Sequence, residues 1–148
     1  MNLRPLPLAV ALLVAACGGG GGTATNPTPS PQGIAFTLNA VNNSGMDGDG
    51  TIIKGSGSFT VTLRLTGLTA NSSHMSHIHG GSCAATGDVV ITLENIKANG
   101  TGAGSATTTI SHPYSVPSTG WYVNVHAGPD LTTAANAEAI ACGDLTAS

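Results

Sequence analysis

The sequence predicts an all-β domain, a β-sandwich or barrel of short strands, for most of this 148-residue chain. Several segments alternate apolar and polar residues, which is the period of a half-buried strand, and clusters of Gly, Asn, Asp and Pro separate them. Helical patterning is nearly absent. Only residues 131–141 have an Ala-rich character, and they are expected to form a loop or one or two helical turns. Short strands with turn signals between them are typical of β-sandwiches and barrels.

Eight segments carry the strand pattern. They are residues 34–41, 51–54, 57–66, 76–79, 88–93, 104–110, 121–126 and 139–145. The third shows the alternation most clearly, because every second residue from Phe59 to Leu65 is apolar. Residues 42–50, rich in Gly, Asn and Asp, predict a turn. Within them, Asp47-Gly48-Asp49-Gly50 resembles a calcium loop but lacks the later Glu ligand, so a turn is the favoured interpretation.

The start of the chain is predicted to lie outside this domain. Residues 1–16 combine a basic end with an apolar run of about eleven residues, which is too short to span a bilayer and typical of a signal peptide. Small residues before Cys17 resemble the bacterial lipoprotein signal, which implies that Cys17 is acylated; an ordinary secretory signal is the alternative. Residues 17–33, rich in Gly and Pro, are the expected tether, and residues 34–148 form the domain.

Both interpretations place the protein outside the cytoplasm, and the lipoprotein one anchors it to a membrane of the cell envelope, facing the periplasm or the exterior. Such compartments are oxidising, so the two remaining cysteines, Cys83 and Cys142, favour a disulfide over the rival use as thiolate metal ligands. Four Lys and Arg residues stand against seven Asp and Glu residues, without a basic patch. This charge pattern argues against nucleic acid as a partner.

The histidines are the most informative residues. Three of the five fall within His74-Met75-Ser76-His77-Ile78-His79, and His126 ends the strand 121–126. A His-x-His pair on a strand puts both rings on one face, and neutral imidazole is a common ligand of copper and zinc. If the two strands are neighbours, His77, His79 and His126 converge on a metal site with three nitrogen ligands. Taken singly, each His is more often a surface or hydrogen-bonding residue.

Two further histidines are possible additional ligands. His74 lies three residues before His77, across a bend, and is interpreted as an orienting or structural residue. His112 precedes Pro113 in an expected loop. It is expected to be exposed to solvent, from where it could swing in as a fourth ligand.

The order of these residues resembles that of the copper/zinc superoxide dismutases. The similarity runs through His74-x-x-His77-x-His79, Cys83, Val123-Asn124-Val125-His126 and Ala141-Cys142-Gly143. It implies a superoxide dismutase-like Greek-key β-sandwich or barrel of about seven to eight strands. It also implies one copper ion on His77, His79 and His126, and a Cys83–Cys142 disulfide. The chain resembles the CHRD domain as well, a β-rich extracellular module, over His77-Ile78-His79-Gly80 and residues 87–93 and 120–126.

The chain departs from the dismutase pattern in its zinc ligands and in one cation. No His lies between Cys83 and Ile110, where that family has its bridging ligand, so zinc is not expected. Ala139 stands where the family has an Arg that attracts the anion. The leading hypothesis is a lipid-anchored β-domain that binds one copper ion, and whether it is an enzyme stays open. The alternatives are a CHRD-type interaction module without metal and a copper-only superoxide dismutase.

Overall fold

The computed structural model of the protein describes residues 33–147, which form an all-β fold with one short helix. The elements are β1 (Ile34–Ala40), β2 (Asp47–Lys54), β3 (Phe59–Thr66), β4 (Ser73–His74), β5 (Ser76–Gly81), β6 (Thr86–Thr92), β7 (Ile96–Ala98), β8 (Gly104–Ile110), β9 (Trp121–His126), α1 (Ala134–Ala137) and β10 (Ala139–Leu145). The predicted signal peptide, Cys17 and nearly all of the tether lie outside the described residues. Among residues 33–147, no helix has the length and apolar character needed to cross a membrane.

The predicted fold class is confirmed, with more strands than the seven to eight expected. All eight predicted segments contain or overlap a strand, and the two additional strands, β4 and β7, are only two and three residues long. Strands this short show no recognisable alternation of apolar and polar residues. They are defined by their pairing, since β4 pairs with β7 and β7 pairs with β8. The expected helical turns within residues 131–141 are α1, whose first turn is capped by the Thr133 side chain accepting a hydrogen bond from Asn136 N.

The strands form one antiparallel sheet with the order β4-β7-β8-β3-β2-β1-β10-β9-β5-β6. Strands from both halves of the sheet contribute buried apolar residues to one core cluster. The sheet therefore curls around a single interior. Phe59 and Val61 of β3 pack there together with Ile78 of β5 and Val123 of β9. Strands distant in the sequence become neighbours in this way, and β5 lies beside β9.

The predicted turn over residues 42–50 is wrong in its second half. Strand β2 already begins at Asp47 and pairs with both β1 and β3, so the Asp-Gly-Asp-Gly cluster is part of the sheet. Gly50 pairs with Phe36, and a Cβ atom on Gly50 would lie 2.0 Å from the Phe36 ring. The glycine therefore makes room for a packed aromatic ring, and packing outweighs the turn preference of these residues.

The predicted disulfide between Cys83 and Cys142 is confirmed. It joins the loop after β5 to β10, with the two Cα atoms 5.9 Å apart and a sequence separation of 59. The Asp144 carboxylate accepts a hydrogen bond from Cys83 N at 2.7 Å, which holds the same loop against the same strand. The covalent bond therefore fastens the end of β5, the strand that carries His77 and His79, to its neighbours in the sheet.

Reduction of this disulfide should destabilise the protein. Closing a loop of this length removes about 4 kcal/mol of chain entropy from the unfolded state, which corresponds to a fall in melting temperature of about 10 °C or more. Thermal unfolding followed by circular dichroism with and without reductant measures the difference. The Cys83→Ser/Cys142→Ser variant is the control and should melt at one temperature in both conditions. Equal melting temperatures of the oxidised and reduced wild-type protein would contradict the prediction.

Candidate metal centre

The pairing of β5 with β9 places the histidines on one face of the sheet. Ile78 pairs with Val123, and both side chains are fully buried in the core. His77 and His79 flank Ile78, so they point to the opposite face, where they pair with Asn124 and Tyr122. His126 follows two residues after Asn124 and shares that face. The expectation that the two strands are neighbours is therefore confirmed.

Two glycines allow β5 and β9 to approach each other closely at one end. Gly81 N donates to Gly120 O at 3.0 Å, and both residues have positive φ angles, 98° and 86°. A Cβ atom on Gly120 would lie 2.6 Å from Gly81 O, and one on Gly81 would lie 2.3 Å from Ala85 O. Both the backbone conformation and the lack of space require glycine here.

The three rings form a compact group. One candidate ligand nitrogen from each of His77, His79 and His126 lies within 4.8 Å of the other two. The ring centroids are 5.7 Å apart for His77 and His79, 5.4 Å for His77 and His126, and 6.3 Å for His79 and His126. His77 and His126 are buried and His79 is partly buried. The structure thus brings together the three residues that the sequence singled out.

Backbone carbonyl groups fix the orientation of two of the rings. His79 Nδ1 lies 3.0 Å from Gly87 O, and His126 Nδ1 lies 2.8 Å from Ala137 O. Since a carbonyl oxygen can only accept, each Nδ1 carries the hydrogen and donates it. In a neutral ring this leaves Nε2 with a free lone pair, so Nε2 is the atom of His79 and His126 that can bind a metal.

Two buried ring nitrogens have no hydrogen-bond partner among the described residues, His77 Nδ1 and His79 Nε2. Buried polar atoms are nearly always paired, and an unpaired one costs about 1–3 kcal/mol. Both atoms belong to the three-histidine group. Their state fits a site that is completed by an ion, because a metal bond would satisfy the lone pairs that no protein group reaches.

Burial keeps two of the three rings uncharged at neutral pH. Desolvation, and then the proximity of His126 and His79, lower the pKa of His77 from 6.5 to about 4. The pKa of His126 is also lowered, mainly by desolvation, although its hydrogen bond to Ala137 O opposes the shift. The neutral ring is the form that binds metal ions, so protons compete weakly for these two sites near neutral pH.

Side chains on the same face of β9 surround the group. The Tyr122 ring stacks on His79 with a centroid separation of 5.1 Å, and Asn124 Nδ2 lies 3.5 Å from His126 Nε2. A cavity of about 280 Å³ next to them is bordered by Tyr122, Asn124 and Ala139, with the disulfide in its wall. Ala139, at the position where the dismutase resemblance implies an Arg, pairs directly with His126 across β10 and β9.

The two remaining histidines lie outside this group. His74 is buried, with Nδ1 3.0 Å from the backbone oxygen of His126 and Nε2 2.6 Å from Ser72 Oγ, so it braces the backbone at His126. This agrees with its interpretation as an orienting residue. His112 is exposed, and its ring makes a T-shaped contact with the Phe59 ring at a centroid distance of 5.3 Å. The structure does not bring His112 to the other three.

Sequence reasoning missed two participants, the carbonyl groups of Gly87 and Ala137. They act through backbone atoms, so no side-chain pattern marks them. Tyr122 and Asn124 carried a recognisable signal, because they alternate with the core residues of β9 on the polar face that ends in His126.

Comparison with known proteins places the chain in a family. Residues 34–129, more than half of the chain, match the CHRD domain, so the chain belongs to the CHRD domain family. No curated protein matches it in sequence. Its fold is similar to that of a Cu/Zn superoxide dismutase from Brucella abortus, with 17% identity, a TM-score of 0.57, and coverage of 78% of this chain and 100% of that one.

A second solved structure of similar fold is a double mutant of a superoxide dismutase-like protein from Bacillus subtilis. It shares 17% identity with a TM-score of 0.58, and the match covers 80% of this chain and 100% of that one. Both resemblances noted in the sequence are thereby confirmed at the level of family and fold.

The metal-free protein should lose stability as the pH falls from about 6.5 to 4. In this window the unfolded chain protonates His77 while the folded chain keeps it neutral, so the unfolded state binds more protons and gains stability on acidification. We expect His77 to contribute about 1–3 kcal/mol to this loss. Urea unfolding at pH 7 and pH 4.5 measures it.

The His77→Gln variant is the control for that experiment, because carboxylates titrate in the same pH range. It should lose less stability than the wild-type protein between the two pH values. An identical loss in both proteins would show that His77 does not carry the effect.

Proposed function

We propose that this protein binds one copper ion through His77 Nδ1, His79 Nε2 and His126 Nε2, as a lipid-anchored CHRD-domain protein of the cell envelope. The observation that carries the proposal is the pair of buried ring nitrogens without partners, which belong to a group of three histidines on one face of the sheet. Two of the proposed ligand atoms follow from the hydrogen bonds of the opposite ring nitrogen.

The choice of copper rests on the donor set. The group offers three imidazole nitrogens without a carboxylate or a thiolate, and both described cysteines are bound in the disulfide. Imidazole suits copper, zinc, iron and nickel, and of the divalent first-row ions copper binds nitrogen sites most tightly. Three nitrogens bound to one ion at about 2 Å lie about 3.3–3.6 Å apart in a tetrahedral or trigonal arrangement. The three candidate nitrogens lie within 4.8 Å of one another, so each would have to move by at most about 0.7 Å to bind the ion.

Three protein ligands leave a coordination position open. A bound copper ion would supply one-electron redox chemistry at that position, or would simply be stored. Burial lowers the pKa of His77 and His126, and backbone carbonyl groups orient His79 and His126. The Tyr122 ring stacks on His79, and His77 Nδ1 and His79 Nε2 are shielded from solvent. Copper sequestration or slow redox chemistry on a small oxidant fits this arrangement.

A fast superoxide dismutase is the less favoured use of the same ion. None of the described residues that border the cavity beside the histidines is a cation, and Ala139 pairs with His126 at the position where the dismutase resemblance implies an Arg. The chain has an overall negative charge, which weakens the attraction of an anion.

An interaction module without metal is the second candidate, favoured by strand β6. Within residues 33–147 this strand pairs only with β5, and its Val89 and Val90 are 46% and 49% exposed. A long exposed strand at the edge of a sheet can pair with another chain. Copper titration separates the two candidates, because a protein that binds no copper leaves the interaction module as the better account.

Copper binding should depend on the three histidines and not on the exposed one. The wild-type protein should bind one Cu²⁺ per chain, and the His77→Ala/His126→Ala variant should bind it at least about 100-fold more weakly. Competition with a chromophoric chelator measures the affinity. His112→Ala is the matched control and should bind as the wild type does. Unchanged copper stoichiometry in the double variant, with native circular dichroism, would refute the proposal.

In the proposed lipoprotein, the tether would enter the domain at the end of β1 that is remote from the cavity beside the histidines. The tether leads into β1 at Ile34, whereas Val41, just after the other end of β1, borders the cavity beside the histidines. A strand of seven residues spans about 23 Å. The cavity would therefore lie at the end of β1 opposite to the anchor.

The anchor itself is tested by one substitution. The wild-type protein should partition into the detergent phase of a cell-envelope extract, and Cys17→Ser should move it to the aqueous phase, because the acylated thiol is lost. Thr23→Ser, a mild change in the tether, serves as the control and should not alter the partition. Retention of Cys17→Ser in the detergent phase would argue against lipidation of Cys17.

A further inference from the structure

We propose that a depression on the outer face of the sheet, over β3, β7 and β8, binds the phosphate group of a small phosphate ester. Its polar side chains belong to Arg64, Thr66, Lys97, Asn99 and Ser105. We call it the basic depression, because it gathers two of the three Lys and Arg residues found among residues 33–147. None of the three histidines of the candidate metal centre borders it, so this inference is independent of the proposed copper site.

The register of the strands places the two cations on either side of one serine. Arg64 of β3 pairs with Ser105 of β8, and Lys97 of β7 pairs with the same serine from the other side. Directly paired residues of antiparallel strands share a face, with their Cβ atoms about 5 Å apart. The residues next to Arg64 and Lys97 along their strands are buried in the core, so both cations point outward. Since the two cations are far apart in the sequence, no local pattern reveals this cluster.

The side chains around the basic depression are rich in available hydrogen-bond donors. Asn99 Oδ1 accepts hydrogen bonds from Thr101 N, Thr101 Oγ1 and Ala103 N, which use its acceptor inside its own loop. The N–H groups of Nδ2 are therefore what Asn99 can offer to a ligand. Lys97 and the Ser105 hydroxyl also have no side-chain partner within the described part of the chain. None of the described residues that border the depression is Asp or Glu, so its lining fits an anion.

Two carboxylates on β2 lie on the other side of Arg64. Asp47 and Asp49 border a neighbouring depression that shares Arg64, and Asp49 Oδ2 lies 3.9 Å from Arg64 Nη1. The Arg64 and Asp49 side chains are 59% and 64% exposed, so water screens this ion pair and weakens it. A ligand in the basic depression can bind Arg64 and Lys97 together, which Asp49 does not border. Other charges of this acidic chain act weakly beyond about 8 Å at physiological salt.

The set of donors and the volume favour a phosphate ester over a carboxylate. A carboxylate has two oxygens, which the fork of a single guanidinium group already occupies. A phosphate monoester has three terminal oxygens and a charge of about −1.5 to −2 at neutral pH, so it can bind Arg64, Lys97 and the Ser105 hydroxyl at once. The basic depression has a volume of about 450 Å³, within the usual range of small-molecule sites. This volume leaves room for an organic group beyond the phosphate.

The test is a titration of the metal-free full-length protein with glycerol phosphate, inorganic phosphate and acetate at constant ionic strength, followed by proton–nitrogen correlation NMR. The metal-free protein is used so that a bound ion cannot hold the phosphate. The amide signals of Arg64, Lys97 and Ser105 should shift during the titration. Glycerol phosphate should bind at least as tightly as inorganic phosphate and at least about 5-fold more tightly than acetate, because acetate has a single charge and two oxygens.

Substitutions assign the binding to the two cations. Arg64→Gln should weaken the binding of glycerol phosphate at least about 5-fold and Lys97→Gln at least about 3-fold, because each removes a charged donor. Lys54→Gln is the matched control, since it changes the net charge equally at the end of β2, outside the basic depression, and should alter binding less than about 2-fold. Asp49→Asn should tighten binding about 2-fold, because it removes the carboxylate that competes for Arg64.

The absence of amide shifts in β3, β7 and β8 would overturn the inference. An equal loss of affinity in Lys54→Gln and Arg64→Gln would do the same, because overall charge alone would then explain the binding. Acetate that binds as tightly as glycerol phosphate would contradict the choice of phosphate, and tighter binding of inorganic phosphate would contradict the ester. The His77→Ala/His126→Ala variant should bind glycerol phosphate as the wild type does, so a failure of the copper proposal is distinguishable from a failure of this one.

Discussion

The pairing of β5 with β9 is the constraint on which the site depends. These strands are far apart in the sequence, and their register is set by Ile78 and Val123, which pair with each other and are fully buried. A shift of one residue would turn His77 and His79 into the core and expose Ile78. Burying the apolar residues in the correct register is therefore the same event as assembling the three imidazoles. The disulfide and the Gly81–Gly120 contact fasten one end of this pair.

The site buries more ring nitrogens than the described protein groups can satisfy with hydrogen bonds. The Gly87 and Ala137 carbonyl groups orient His79 and His126, but His77 Nδ1 and His79 Nε2 are buried without a partner in the described part of the chain. Such an arrangement costs stability in the metal-free protein and lowers the pKa of His77. An ion that satisfies these atoms would recover that cost, so metal binding and folding stability should be coupled.

Much of the fold followed from periodicity, because β3 alternates strictly between apolar and polar residues and the core residues of β9, Trp121, Val123 and Val125, recur at every second position. The His-x-His spacing of His77 and His79 predicted a shared face for the same reason. Tertiary packing decided the rest. Phe36 packs over Gly50, and this packing favours a strand in a segment whose residues prefer turns. The two-residue β4 is defined by its pairing with β7. The cavity beside Asn124 depends on four separate segments, which no local pattern brings together.

The coordination of the ion tests the central claim most directly. X-ray absorption spectroscopy of the copper-loaded protein should show three imidazole nitrogens at about 2 Å and no sulfur in the first shell, because His77, His79 and His126 converge while the cysteines are bound to each other. A sulfur ligand, or fewer than two imidazole ligands, would contradict the account, since the ion would then lie outside the group that β5 and β9 assemble.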